Sequence, residues 1–416
     1  MDVRLSTILC LSLFLISCNK NKTATSVFNE KQSQNCIAER VPNQFIVKWT
    51  DGHVSLEKAV DADQFTKNFI EKNLDLIERV EFDKKIVIKE TAGDLHSFAY
   101  QPAPVNWGVT RVGADTVWAE GVEGEGVIVG VVDTVVDITH PQLSNQLYYN
   151  DAEKNGAPGV DDDHNGYVDD IAGWDFFSNS PDLVAGANNH HATHVAGIIA
   201  AEHGAGTILG MAPKAKIVSA NFMDVNDVNN GGTLSDGIKA IRYVASRGAK
   251  IINMSWGGSI CSDTLKEVMM GLETQGVLFV TASGNESTDF DKTSPLYWSY
   301  PAAFAIPNQL VVAATSVSDY MADFSNKSFS LVHIGAPGVD IYSTVPGGYM
   351  YLDGTSMATP FVTGAAALLY GLRPNATPKQ IKQAILNSVD VRDYKVLTQG
   401  RLNVQKAVEE LKKIVP

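Results

Sequence analysis

Val127-Ile-Val-Gly-Val-Val-Asp133 is a run of apolar and small residues that stops at a carboxylate. Hydrophobicity that is continuous, not alternating, over so short a run predicts a strand covered on both faces, as in a parallel sheet between helical layers. Four more runs of this kind follow, Ala215-Lys-Ile-Val-Ser-Ala220, Ile251-Ile-Asn-Met254, Val277-Leu-Phe-Val280 and Leu310-Val-Val-Ala313, each bounded by Gly, Pro or polar residues. Between them Leu234, Ile238, Ile241 and Ala245 recur at helical spacing, and Ala365 to Leu369 predicts a helix buried all round. Thr377-Pro-Lys-Gln380 is a capping box with Pro at the first helical position, opening a helix through Ile381 and Ile385. The alternation predicts an α/β fold with a doubly wound, mostly parallel sheet over residues 107–416.

Upstream the pattern changes. Gln101-Pro-Ala-Pro-Val-Asn106 reads as a linker that its prolines hold extended. Residues 41–100 suggest a small α+β domain, with strands at Gln44–Thr50 and Lys85–Lys89 and a helix over 56–71 through Leu56, Val60, Phe65 and Phe69. Residues 18–40 are polar at the start and read as a tether. Arg4 precedes an apolar stretch, Leu5 to Ile16, too short to cross a bilayer as a helix and matching the core of a secretory signal over residues 1–17. Its end, Leu15-Ile-Ser-Cys18, resembles the bacterial lipobox, which implies cleavage before Cys18 and a lipid on that sulfur. The expected location is therefore the cell envelope, or the medium or periplasm after release. Cys36 and Cys261, the other two cysteines of the mature chain, lie far apart in sequence and are expected to be free thiols. Asp and Glu number 47 against 33 Lys and Arg, a net charge of −14 that argues against a nucleic-acid partner.

In doubly wound folds, ligands gather at the carboxyl ends of the strands. Asp133 ends one. His191 opens an apolar helix through Val195 and Ile199, and Ser356 lies at a helix start, where unsatisfied N–H groups favour developing negative charge. Asn285, in Ser283-Gly-Asn285 after another apolar run, adds an amide donor.

The segments His191-Ala-Thr-His-Val-Ala-Gly197 and Gly354-Thr-Ser-Met-Ala-Thr-Pro360, with Asp133, Asn253-Met-Ser-Trp-Gly257, Ser283-Gly-Asn285 and Ala336-Pro-Gly338, resemble in order and spacing the subtilisin family of serine proteases. The resemblance spans about residues 107–411. It implies a triad in which Ser356 attacks a peptide carbonyl, His191 moves the proton and Asp133 orients the imidazole, with Asn285 and the Ser356 N–H as oxyanion donors. It also implies that Ser255, Trp256 and Gly257 form an edge pairing with extended substrate, that Gly231 and Gly232 flank it, and that residues 41–100 are a propeptide that assists folding and plugs the site. The expected protein is a monomeric, exported serine endopeptidase acting on proteins and peptides and made as a zymogen. Cleavage near residues 101–106 would then separate it from its anchor.

Three positions depart from the family pattern: Val135 and Ala192 stand where Gly is usual, and Phe361 where His is. The first two motivate an alternative, a subtilase-fold binding protein with weakened catalysis. An esterase is disfavoured because Gly354-Thr-Ser-Met-Ala is not Gly-x-Ser-x-Gly and the serine comes last of the three. Finally, Asp161-Asp-Asp-His-Asn-Gly-Tyr-Val-Asp-Asp170 reads as a calcium loop, with Asp161, Asp163, Asn165, the Tyr167 carbonyl and Asp169 as ligands and Gly166 at the turn. Its twelfth position is Ala172, not a carboxylate.

Overall fold

The computed structural model describes residues 22–28, 37–86, 103–186, 189–224 and 231–415; the signal segment, Cys18 and Cys36 lie outside them. The N-terminal unit is an antiparallel sheet of β1 (Arg40–Trp49), β2 (Val54–Lys58) and β3 (Ile77–Ile86) in the order β2-β1-β3. Phe45, Val47, Phe65, Ile70, Val80 and Phe82 form its core. Residues 56–58, expected to be helical, belong to β2, because Leu56 pairs with Ile46 of β1; the helix begins at Ala62, capped by Asp61, whose carboxylate accepts the Gln64 N–H at 2.7 Å. Residues 24–27, within the expected tether, are helical, and Val27 and Phe28 enter the same core. β3 ends at Ile86, so residues 87–89 of the expected second strand lie outside the described residues.

The large unit follows with β4 (Ile128–Asp133), β5 (Gly173–Asp175), β6 (Lys216–Asn221), β7 (Gly232–Thr233), β8 (Ile251–Met254), β9 (Leu278–Ala282), β10 (Gln309–Thr315), β11 (Ile334–Pro337), β12 (Ile341–Val345), β13 (Gly348–Leu352), β14 (Asp390–Val391) and β15 (Gly400–Arg401). Nine of them form one sheet in the order β14-β15-β11-β10-β9-β8-β4-β6-β5, parallel except at β14–β15. β12 and β13 form a hairpin, and β7 joins β3 of the N-terminal unit. Chain order runs outward from β4 through β6 on one side and from β8 to β11 on the other, so the direction of winding reverses between β4 and β8. A crevice opens there at the carboxyl ends.

Every residue of β4 after Ile128 is buried. Val129 and Val131 pack into a core shared with the helices His191–Ala200 and Thr355–Leu372, while Val132 faces Ile238, Ile241 and Val244 of the helix Leu234–Ser246. Gly130 permits that second contact, since a Cβ there would stand 2.6 Å from Val244 Cγ2. Among the described residues no helix is long and apolar enough to cross a membrane.

Candidate active site

Asp133 leaves the end of β4 fully buried, and its Oδ1 accepts the Thr134 N–H at 2.7 Å. His191 is the first residue of its helix and 2% exposed; its Nδ1 lies 2.7 Å from Asp133 Oδ1. The helix start is tied to β4 a second time, because Ala192 N donates to Thr134 Oγ1 at 3.0 Å. With the carboxylate accepting, the ring proton belongs on Nδ1, which leaves Nε2 as the basic nitrogen. His194, three residues on, is wholly buried with Nε2 on the carbonyls of Ile341 and Met350, and burial pushes its pKa down to about 3. It is a neutral core histidine.

Ser356 is the second residue of the 18-residue helix Thr355–Leu372. Its Oγ donates to Ser255 O at 2.8 Å, and Ser255 Oγ donates back to Ser356 O at 2.9 Å. Ser255 Oγ also accepts from Asn253 Nδ2, whose Oδ1 accepts from Thr363 Oγ1 two turns further along the serine's own helix. Asn285, in the loop after β9, accepts through Oδ1 from both Thr355 N at 2.9 Å and Thr355 Oγ1 at 2.8 Å. Only an oxygen can accept from a backbone N–H, so the amide cannot flip and Nδ2 is turned outward. A Cβ built on Gly354 would stand 3.6 Å from Asn285 Nδ2 and 3.5 Å from Ser356 N, so the two donors border one space beside the hydroxyl. Preorganised donors at a helix N-terminus suit a carbonyl oxygen that gains charge as its carbon is attacked.

Trp256 turns inward. It is 2% exposed, its Nε1 donates to Val132 O at 2.8 Å, and its ring packs edge-on against Phe222, so its side chain anchors the strand end to the core. Gly257 and Gly258 instead line a cavity of about 270 Å³ together with Glu286, Trp298 and, from the N-terminal unit, Ile37 and Ile86. Gly231 and Gly232 are buried, and Gly232 pairs with Ile86 while Thr233 pairs with Lys85. The expected flanking edge is thus occupied by the last strand of the N-terminal unit.

Two carboxylates not singled out from the sequence bind that unit to the large one. Asp83 accepts from Ser235 N at 3.0 Å and Ser235 Oγ at 2.7 Å, at the start of the helix Leu234–Ser246. Glu81 accepts from Thr264 N and Oγ1, both at 2.8 Å, and from Ser262 Oγ at 2.7 Å, at the start of the helix Asp263–Gly271. Their signal was present, since carboxylates two apart in a strand share a face. Cys261 differs from expectation also: it is disulfide-bonded, not a free thiol.

The departures from the family pattern have structural explanations. Val135 joins an apolar cluster with Leu147, Ala172 and Leu183, Ala192 is wholly buried, and neither takes a positive φ. Phe361 packs its ring so closely over Gly108 that a Cβ there would collide with it.

Of the five expected calcium ligands, Asp161 and Asp163 both accept from Asn165 N at 3.1 Å, and Asn165 Nδ2 donates to Asp163 Oδ2 at 3.1 Å. Asp161 also accepts from Gly166 N, Asn165 Oδ1 from Tyr167 N, and Asp169 Oδ2 from Gly159 N ten residues back. Asp163 also meets Glu153 and Asp170, one oxygen from each lying within 4.8 Å of the others. Arg247 Nη1 and the Tyr243 hydroxyl both donate to Asp170 Oδ2.

The sequence pattern described as the subtilase family matches residues 124–408. The chain is 35% identical over 281 residues to the major intracellular serine protease of Bacillus subtilis (strain 168), covering 67% of this chain and 78% of that protein. It is 34% identical over 310 residues to thermitase of Thermoactinomyces vulgaris, covering 73% and 95%. Among solved structures, fervidolysin from Fervidobacterium pennivorans, a keratinolytic enzyme related to subtilisin, superposes with a TM-score of 0.70 at 27% identity, over 89% of this chain and 61% of that one.

Proposed function

Since the chain belongs to the subtilase family and is a serine endopeptidase, we propose that it cleaves proteins through Asp133, His191 and Ser356, with Asn285 and the Ser356 N–H receiving the oxyanion. The observation that carries this reading is the 2.7 Å bond from His191 Nδ1 to Asp133, set at the carboxyl end of the sheet where two fixed N–H donors border the serine. In the resting arrangement the Ser356 hydroxyl donates to Ser255 O. Rotation about its χ1 turns Oγ toward the carbonyl under attack, His191 Nε2 takes its proton and returns it to the leaving amine, and Asp133 stabilises the imidazolium between. The freed Ser255 carbonyl then accepts a main-chain N–H of an extended substrate, and Gly257 leaves room beside it. A fluorophosphonate probe should label the processed wild-type chain on Ser356 and leave Ser356→Ala unlabelled. An unlabelled wild type would favour the weakened binding protein.

The same reading makes the protein an exported, lipid-anchored zymogen. Supporting the zymogen part of it, β3 pairs antiparallel with β7, and Glu81 and Asp83 fasten the N-terminal unit to two helix starts. We extend the reading to a calcium ion at Glu153, Asp163 and Asp170, whose three hard oxygen donors outnumber the one guanidinium beside them. The melting temperature of Ser356→Ala should fall with a calcium chelator and recover with added calcium; no change would remove the ion from the account.

A further inference from the structure

The disulfide at Cys261 bears on what happens after processing. The remaining cysteines of the chain are Cys10, Cys18 and Cys36. Ala38 N donates to Ser259 O at 3.2 Å, and Lys84 Nζ, close to the end of β3, donates to the Cys261 carbonyl. The chain that resumes after Cys36 therefore runs beside the chain leading into Cys261. Cys36 is two residues before Ala38 and Cys261 two residues beyond Ser259, so of the three cysteines Cys36 is the one next in the chain to a residue bonded beside Cys261. Cys18 lies twenty residues before Ala38 in the chain and four before Lys22, whose Nζ donates to the Asp75 carbonyl ahead of β3, at the other end of that strand from Lys84.

We infer that Cys36 and Cys261 form one disulfide, and that it keeps the N-terminal domain covalently attached to the protease after the chain between them is cut. The inference rests on the zymogen reading above. Any cut between residues 87 and 106 falls inside the loop that this bond closes, so the two pieces stay joined through sulfur. A tethered inhibitor acts at an effective concentration on the order of millimolar, whereas a released one at nanomolar enzyme dilutes away. Cleavage alone thus leaves the crevice occupied, and release waits for a dithiol reductant. One of its thiolates attacks a sulfur of the bond and expels the other; its second thiol then closes on the mixed disulfide. Two electrons and two protons pass to the protein, leaving Cys36 and Cys261 as thiols and the reductant as a disulfide. Cys261 is only half-buried, within a reductant's reach. The retained piece also carries Cys18, so a lipid there would hold the processed protease at the membrane until reduction, in place of the separation on cleavage expected from the sequence.

Peptide mapping of full-length Ser356→Ala without reductant should recover a peptide pair joining Cys36 to Cys261; Cys261 bonded to another cysteine overturns the inference. Processed wild-type chain, denatured without reductant, should run as one full-mass species and split into two pieces with dithiothreitol; pieces already separate overturn retention. Specific activity at nanomolar enzyme should rise at least about tenfold on reduction. Cys261→Ser and Cys36→Ser should each reach that activity without reductant. A chain that is never cut would sink the zymogen reading and retention with it, while the mapped bond would still stand.

Discussion

At the scale of single residues, the candidate site is organised by groups buried behind it. Thr355 holds Asn285 through two bonds to one oxygen, and the amide nitrogen therefore faces the space beside Ser356. Replacing Asn285 by Ala removes one of the two donors without disturbing the Asp133–His191 pair. Turnover should fall roughly a hundred- to a thousand-fold with KM little changed, a magnitude taken from subtilisin, in which loss of such a donor has that effect, and not from these distances. Steady-state kinetics on a peptide substrate would check it, and a tenfold rise in KM at unchanged kcat would assign Asn285 to ground-state binding instead. The relay from Thr363 through Asn253 to Ser255 works in the same manner, pinning the carbonyl that accepts the resting Ser356 hydroxyl to the helix that bears that serine.

At the scale of elements, helix starts do most of the joining. His191 and Ser356 each stand in the first turn of a helix, and Glu81 and Asp83 close the first turns of two more from outside the domain. The helices Leu234–Ser246 and Asp263–Gly271 already carry their own caps, Thr233 and Ser262, so the carboxylates of β3 add a docking contribution more than a folding one. A charged group accepting hydrogen bonds is worth about 1.5–3 kcal/mol where it is well buried. The double variant Glu81→Gln, Asp83→Asn should therefore bind its own N-terminal domain more weakly. After processing, with dithiothreitol present throughout, activity should appear earlier than in wild type and need less dilution. An unchanged activation course would mean that β3–β7 pairing alone holds the unit in place.

At the scale of the whole molecule, two imidazoles are buried neutral on opposite faces of the fold. His194 lies under the β12–β13 hairpin, and His333, just ahead of β11, accepts the Val311 N–H at 2.9 Å; desolvation takes each pKa down to about 3. The unfolded chain protonates both at their ordinary value near 6.5, so below that pH it binds more protons than the folded one. The contribution of these two groups should be level above about pH 6.5 and fall as pH drops from there toward 3, by about 1.4 kcal/mol per pH unit for each histidine. Melting temperatures of Ser356→Ala, which cannot digest itself, would measure this, and a flat profile between pH 6 and 4 would refute it.

The parallel sheet and its helices were legible in the sequence because burial on both faces of a strand, and on one face of a helix, leaves a local pattern: the runs at 127–133 and 251–254, and the period through Leu234, Ile238 and Ile241, became the elements expected of them. Candidate chemistry was legible for a similar reason, since Asp133, His191 and Ser356 each sit at the end of such an element. What the tertiary structure alone decided are relations between segments far apart in the chain. Trp256 turns into the core, Glu153 meets Asp163 and Asp170, Glu81 and Asp83 reach across to another domain, and Cys261 is bonded. Short-range periodicity records which face of an element is buried. It carries no record of which distant side chain meets that face, because that depends on how the elements pack once they have formed.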